Sequence, residues 1–465
     1  MSVQTKHFED VKHEARWDAE FYGPNFAAIR NALLARGAVP LRQFVREANR
    51  GIGPAYDPTG SVRVINSVNV RDLEVSDDRE SRVTSGDLSA NPQASVRTGD
   101  LMVTSTGIGT LGRVFCNLSD EVYFADGHVT VLRLRNPEQG PYLSAFLQSS
   151  LGRIQFIQRR RGSSRQVEIY PEDILSVLVP TFPDFQKSIS KEWCEAVNEV
   201  AQARALYPKA EQTILKEFNW PSIDTKVTPN HFVSSVDRCF GENRLDPEFF
   251  SPRNICLEQR LIQSRALQFR EIADSYVKGV RPGEYSPDGD ITVIKSKDVL
   301  RIGINMATCE RAFAREIEAG QGIVRPAMLV MNMTGVGTLG RTSVVPEFKG
   351  TSVVSVDVSG WTIRQDTLPV EYVSLFLNCP IGMAQTIRYQ TGSSGQLHLY
   401  PEHIRRLLVF VKRDSSGSIL REWHDNLACQ VREASSARLR GVTRLQRVQS
   451  SFTQAVGLDP RFVRE

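Results

Sequence analysis

The chain is written twice. Arg16-Trp17-Asp18-Ala19-Glu20-Phe21-Tyr22-Gly23-Pro24 returns as Arg244-Leu245-Asp246-Pro247-Glu248-Phe249-Phe250-Ser251-Pro252. Val64-Ile65-Asn66-Ser67 returns as Val293-Ile294-Lys295-Ser296, and Thr106-Gly107-Ile108-Gly109-Thr110-Leu111-Gly112-Arg113 as Thr334-Gly335-Val336-Gly337-Thr338-Leu339-Gly340-Arg341. Gly162-Ser163-Ser164-Arg165-Gln166, then Tyr170-Pro171-Glu172, returns as Gly392-Ser393-Ser394-Gly395-Gln396, then Tyr400-Pro401-Glu402. A period of roughly 230 residues is far beyond the 20–50 of a solenoid, so the repeated unit is a whole domain. Between these blocks the copies diverge: Arg159-Arg160-Arg161 faces Tyr389-Gln390-Thr391. A shared scaffold with different loops suggests two sites doing one job on different targets.

Composition narrows the class. With 41% apolar and 24% charged residues, each half of the 465-residue chain has enough apolar side chains for a core. The net charge of +4 is too small to mark a nucleic-acid binder by itself, so any basic face is local. The seven cysteines show no metal-site or redox-pair spacing and read as reduced thiols of a cytoplasmic protein. No secretory leader and no membrane span are expected.

Each copy mixes helix and strand. Opening helices are expected at Asn25–Ala35 and Cys256–Ser264. Short strands are expected at Val62–Ile65, Leu101–Thr104, Val129–Leu134 and Val177–Pro180, with counterparts at Ile291–Ile294, Met328–Met331, Val353–Val358 and Leu407–Val411. Single helices over Leu143–Gln158 and Val373–Gln390 interrupt them, an order that reads as α+β. Each copy ends in a long amphipathic stretch, 188–218 and 418–456, with seams through Ile189, Trp193, Val197 and through Ile419, Trp423, Leu427. Pro208 should kink or end the first stretch. The seams pack either on their own domains or on each other as an antiparallel pair, and the matched lengths favour the pair.

Gly107-Ile108-Gly109-Thr110-Leu111-Gly112 and Gly335-Val336-Gly337-Thr338-Leu339-Gly340 both spell the dinucleotide pattern G-x-G-x-x-G. That chemistry needs a helix to follow, whose N-terminal amides hold a pyrophosphate. Here β-branched and proline-containing residues follow, so strand, glycine turn, strand is expected. The seven histidines form no H-x-x-x-H pair, and neither a nucleophile elbow nor a Walker motif is present. A nuclease reading from Asp288 and Asp290 fails because Lys295 stands where a carboxylate is needed. No catalytic residue, metal or cofactor is expected.

The Arg-x-Asp-x-Glu-Phe-aromatic opening, the Gly99–Val103 run, the Thr-Gly-x-Gly-Thr-Leu-Gly-Arg turn and the Gly-Ser-Ser-x-Gln loop leading to Tyr170–Ile174 come in one order, twice. Together they resemble the specificity (S) subunit of type I restriction-modification systems. Departures are local: Arg325-Pro326-Ala327-Met328 replaces Thr98-Gly99-Asp100-Leu101, and Val411-Lys412-Arg413-Asp414 replaces the proline-rich exit Val179–Pro183.

The resemblance implies two tandem target-recognition domains, mixed α/β, joined by two long helices packed as an antiparallel coiled coil with pseudo-two-fold internal symmetry. The recognition domains are placed at 1–187 and 236–417 and the helical spacers at 188–235 and 418–465. It implies a non-catalytic subunit that reads a bipartite, asymmetric site on double-stranded DNA for two DNA adenine methyltransferase (modification) subunits, and it admits the restriction motor-nuclease as a further partner. A helix of about 30 residues spans about 45 Å against about 34–36 Å per DNA turn, so the spacers would act as a ruler. Two alternatives remain at this stage: an adaptor of another phage-defence system, and a nucleotide-dependent enzyme using the glycine turns.

Arg159, Arg160, Arg161 and Arg165, with Ser163 and Ser164, are candidate DNA contacts, since arginine binds guanine or phosphate; the plainer reading is a solvated cationic loop. Ser393 and Ser394 are their counterparts. Gln166 and Gln396 either read adenine or bond to their own loops. Arg113 and Arg341, shared by both copies, either contact phosphate or lock the turn. Trp193 and Trp423 read as core anchors of the spacer helices.

Overall fold

The computed structural model describes residues 19–77, 79–162, 167–220, 233–392 and 397–458. The chain divides into two compact units, one of residues 1–200 with 440–465 and one of residues 201–439.

In the first unit, strands Val45–Arg50, Val129–Leu134, Leu101–Thr104 and Val114–Cys116 form an antiparallel sheet in that spatial order. Leu101–Thr104 is buried at every residue, as a continuous apolar run in a central strand should be. A second sheet orders Ser81–Val83, Val62–Ile65, Tyr123–Ala125 and Ser95–Val96, with one parallel pair between Val62–Ile65 and Tyr123–Ala125. Val39–Pro40 and Leu178–Val179 make a two-stranded clasp.

The second unit repeats this plan. Ala273–Val277, Val358–Ile363, Leu329–Asn332 and Thr342–Val344 form its antiparallel sheet. Glu310–Ala312, Ile291–Ile294, Thr351–Val354 and Ile323–Val324 form the mixed one, and Leu267–Gln268 pairs Leu408–Val409. The α+β reading and the internal repeat hold at the level of strand order.

The opening helices are Pro24–Ala35 and Pro252–Gln263, each begun by a proline, whose missing N–H costs nothing at a first helical position. The single helices expected over Leu143–Gln158 and Val373–Gln390 are each two: Gly140–Gln148 with Ser150–Arg159, and Val370–Asn378 with Pro380–Tyr389. Ser149 is extended and its hydroxyl caps the Gly152 N–H, while Pro380 begins the matching helix. The elbows are tight: a Cβ on Gly152 or Gly382 would lie 2.5 Å from the backbone of Leu147 or Leu377.

The long helices are Pro183–Glu217 and Arg421–Val456. Contrary to expectation, the first runs through Pro208. Tyr207, Ala210 and Ile214 are buried around it. Burying such side chains, at about 1.5–3 kcal/mol for each large one, offsets the roughly 3 kcal/mol that an interior proline costs. Ile419, expected in the second seam, lies ahead of its helix, bridged to Arg413.

In the first unit, Trp193, Ala196, Val197 and Val200 share the domain core with Leu445, Val448, Phe452 and Val456. The helices run antiparallel there, since Glu192 pairs with Arg444 and Glu199 with Arg440. In the second unit, Ala203, Tyr207, Ala210 and Ile214 share a core with Leu427, Ala428, Val431, Ala434 and Ala437. The two seam readings are therefore both realised, because each seam packs on its partner helix and on a globular core together.

All seven cysteines are unpaired. Burial pushes the Cys116 and Cys379 thiols up to about 12, so both act as packed apolar groups. No described helix is long and apolar enough to cross a membrane.

Candidate nucleic-acid interface

The glycine turns join strand to strand: Leu101–Thr104 to Val114–Cys116, and Leu329–Asn332 to Thr342–Val344. This removes the helix N-terminus that a pyrophosphate site requires. Gly107, Gly109 and Gly112 have φ of 98°, 79° and 79°, and Gly335, Gly337 and Gly340 have 102°, 78° and 74°, values that glycine adopts without strain. Arg113 Nη2 donates to the Gly109 carbonyl at 2.9 Å and Arg341 Nη2 to that of Gly337 at 3.1 Å. Both arginines thus brace the turn from within. Burial, with Arg71 and Arg153 nearby, lowers the Arg113 pKa.

The turn does not stand alone. Gly107 N–H donates to Val167 O at 3.1 Å and Ile169 N–H to Ser105 O at 2.9 Å. Glu168 and Arg161 exchange backbone bonds of 2.9 and 2.7 Å. In the second unit Gly335 N–H reaches Leu397 O, Leu399 N–H reaches Met333 O, and Thr391 and His398 exchange bonds of 2.9 and 2.8 Å. Two motifs far apart in sequence are thereby one three-chain knuckle in each unit, with Ile108 and Val336 at its tip, each 67% exposed.

The sequence-selected residues divide within this geometry. Ser163, Ser164, Arg165 and Gln166, and Ser393, Ser394 and Gln396, lie outside the described residues. Arg159 turns into the fold: Nε donates to Ser176 Oγ at 2.6 Å, and Nη1 to Gln155 O and Gln158 Oε1. Arg160 is exposed at the end of its helix. Arg161 is on the knuckle, bidentate to Asp173 at 2.9 and 2.9 Å and 5.6 Å from the Tyr170 ring. Trp193 is fully buried and Trp423 packs on Tyr372 and Phe410. Ile189, Val197 and Leu427 are buried, and Ile419 packs on its core.

Other residues on the knuckle were not singled out from sequence. In the first unit Thr106 Oγ1 bonds His128 Nδ1 at 2.8 Å. Arg50 donates to Gly127 O at 2.8 Å and to Glu168 at 3.1 Å, and Glu168 accepts from the Tyr170 hydroxyl. The Tyr170 and Arg50 bonds hold the Glu168 carboxyl below its ordinary range. In the second unit Thr334 Oγ1 donates to Asp357 Oδ1 at 2.8 Å, and His398 stacks on Tyr400 with ring centroids 6.1 Å apart. Lys278 is exposed and Asp357 half-buried. The signal was available, because Glu168 and His398 both stand two residues before the identical Tyr-Pro-Glu blocks.

Among the described residues no cluster of three His, Cys, Asp or Glu could hold a metal. Lys295 and Lys297 both pair with Glu310, and Asp290 accepts the Ala314 N–H.

The geometry defines a duplicated scaffold that presents one backbone knuckle twice, with different polar groups on it. No family model and no curated protein sequence matches the chain. Among solved structures it is similar to the type I restriction-modification system S subunit from M. genitalium, at 13% identity over 92% of this chain and 94% of that one, with a TM-score of 0.37. It is similar to the HsdS subunit from Thermoanaerobacter tengcongensis at 14% identity, over 90% of this chain and 95% of that one, with a TM-score of 0.27. The type IIG restriction endonuclease BpuSI aligns over 41% of this chain and 30% of its own length, at 9% identity and a TM-score of 0.30.

Proposed function

We propose that the chain is the sequence-reading subunit of a cytoplasmic type I restriction-modification complex. It is non-catalytic and directs two DNA adenine methyltransferase subunits to a bipartite site on double-stranded DNA, with the restriction motor-nuclease a further partner. Residues 1–187 and 236–417 are the readers, and 188–235 and 418–465 the helical spacers. One observation carries this reading: two units of the same strand order present the same knuckle, built on shared glycines, Thr106 and Thr334, and Tyr170 and Tyr400, with different hydrogen-bonding groups around it. Reading two unlike half-sites needs this division, because base edges are told apart by their donor and acceptor patterns.

The test is selection from a random double-stranded DNA library with the purified full chain, followed by methylation with its cognate modification subunit. Two short motifs at a fixed separation should emerge, and adenine methylation there should require both proteins. A single unbroken motif, no motif, or methylation by this chain alone overturns the proposal.

A further inference from the structure

The exchanged residues are not scattered. Strand register makes Arg50 equivalent to Lys278 and His128 to Asp357, while the backbone bonds of the knuckle make Arg161 equivalent to Thr391 and Glu168 to His398. These four positions surround a framework that does not change: Thr106 and Thr334, the glycines, Arg113 and Arg341, Tyr170 and Tyr400. The clearest case is the threonine. Its hydroxyl holds an imidazole in one unit and a carboxylate in the other, at 2.8 Å in each. Within the knuckle the threonine, the glycines, the arginine and the tyrosine are kept, while the polar groups beside them are exchanged for others of different hydrogen-bonding character.

We infer that these four matched pairs are the specificity-determining residues of the two half-sites, an inference that rests on the DNA-reading function proposed above. Residues identical in both units cannot distinguish two half-sites, whereas these groups differ in what they offer a base edge. Asp357 only accepts, and Thr334 occupies one of its oxygens, leaving the other for an exocyclic amino group of cytosine or adenine. At the matching position Thr106 occupies His128 Nδ1, leaving Nε2, which donates or accepts according to the tautomer. Arg161, held through Nε and Nη2 by Asp173, brings a guanidinium where Thr391 brings a hydroxyl turned to the His398 carbonyl, and Glu168, already bonded by Tyr170 and Arg50, brings a carboxylate where His398 has an imidazole.

The experiment exchanges single members of the pairs in the full chain: His128→Asp, Asp357→His, Glu168→His and His398→Glu. Each variant and the unaltered protein select from one random duplex library, and thermal melts monitor folding. Each exchange should change base preference roughly ten-fold at one or two positions of one half-site and leave the other half-site unchanged. If His128→Asp or Asp357→His does not fold, His128→Asn and Asp357→Asn carry the same test. Unchanged base preferences, or a uniform loss of recovery across all sequences, overturn the inference while the DNA-reading function stands. An unaltered chain that selects no bipartite motif overturns that function, and the inference falls with it.

Discussion

Trp193 donates its indole N–H to Gln148 Oε1 at 3.1 Å, with both residues buried. The same amide donates to the carbonyls of Asp72 and Val114 at 2.6 Å each. One glutamine thus ties the first long helix to the turn and sheet beneath it. The second unit solves this differently: Asn378 donates to Tyr207 Oη at 3.1 Å and to Thr342 O at 2.8 Å, while Trp423 packs through its rings. Gln148→Ala strands a buried N–H and two carbonyls, at about 1–3 kcal/mol for each buried group left unpaired. It should lower the unfolding midpoint of the first unit, measured by calorimetry with Trp193 fluorescence as a local reporter, and leave the second unit's transition in place.

Gly441 lies where the two long helices approach within the first unit. A Cβ there would stand 2.7 Å from Ala196 O and 3.0 Å from Val200 Cγ2. Alanine favours a helix over glycine by about 1 kcal/mol, but overpacking costs about 1–3 kcal/mol. Gly441→Ala should therefore be neutral to destabilising, and Gly441→Val clearly destabilising, in denaturant titrations. A more stable Gly441→Ala would mean that the helices separate easily at this crossing.

His424 is fully buried, with its ring centroid 4.6 Å from that of Tyr372. As the neutral Nδ1–H tautomer it donates to Leu420 O at 2.8 Å and accepts the Lys412 N–H at Nε2 at 3.3 Å. Burial lowers its pKa from the ordinary 6.5. The unfolded chain then binds more protons than the folded one as pH falls through 6.5, so stability falls with it and levels off below the folded pKa. The second unit should melt earlier at pH 5.5 than at pH 7.5, and His424→Gln should reduce that difference. An unchanged pH dependence in this variant would place its origin elsewhere.

The fold was legible where the pattern is repetitive. Strand runs such as Leu101–Thr104, the strand after each glycine turn and the long seams follow from side-chain period alone. Breaks within apolar runs were less visible. Ser149 and Cys379 divide helices whose apolar spacing is continuous, and Pro208 fails to divide one because buried neighbours hold the helix across it. The interface was half legible. The glycine turn and the Tyr-Pro-Glu block announced the knuckle, and Glu168 stands two residues before that block, but only the fold brings Arg50 and His128 to it.

The arginine run tests that last point. Arg159 and Arg161 are two residues apart, and by sequence they belong to one cationic patch. In the structure Arg159 spends its guanidinium on Ser176, Gln155 and Gln158 inside the fold, while Arg161 pairs with Asp173 on the exposed knuckle. Losing the partly buried guanidinium leaves several acceptors short, and hydrogen bonds to charged groups are worth about 1.5–3 kcal/mol. Arg161 is half exposed in its pair with Asp173, and a surface ion pair is worth about 0–1 kcal/mol, less than the several bonds of Arg159. Arg159→Ala should lower the melting temperature by several degrees and weaken DNA binding only through lost folded protein. Arg161→Ala should melt close to the unaltered chain yet change which sequences are selected from a random duplex library. Equal melting losses in the two variants would show that the run acts as one surface patch and would remove the distinction between brace and reader.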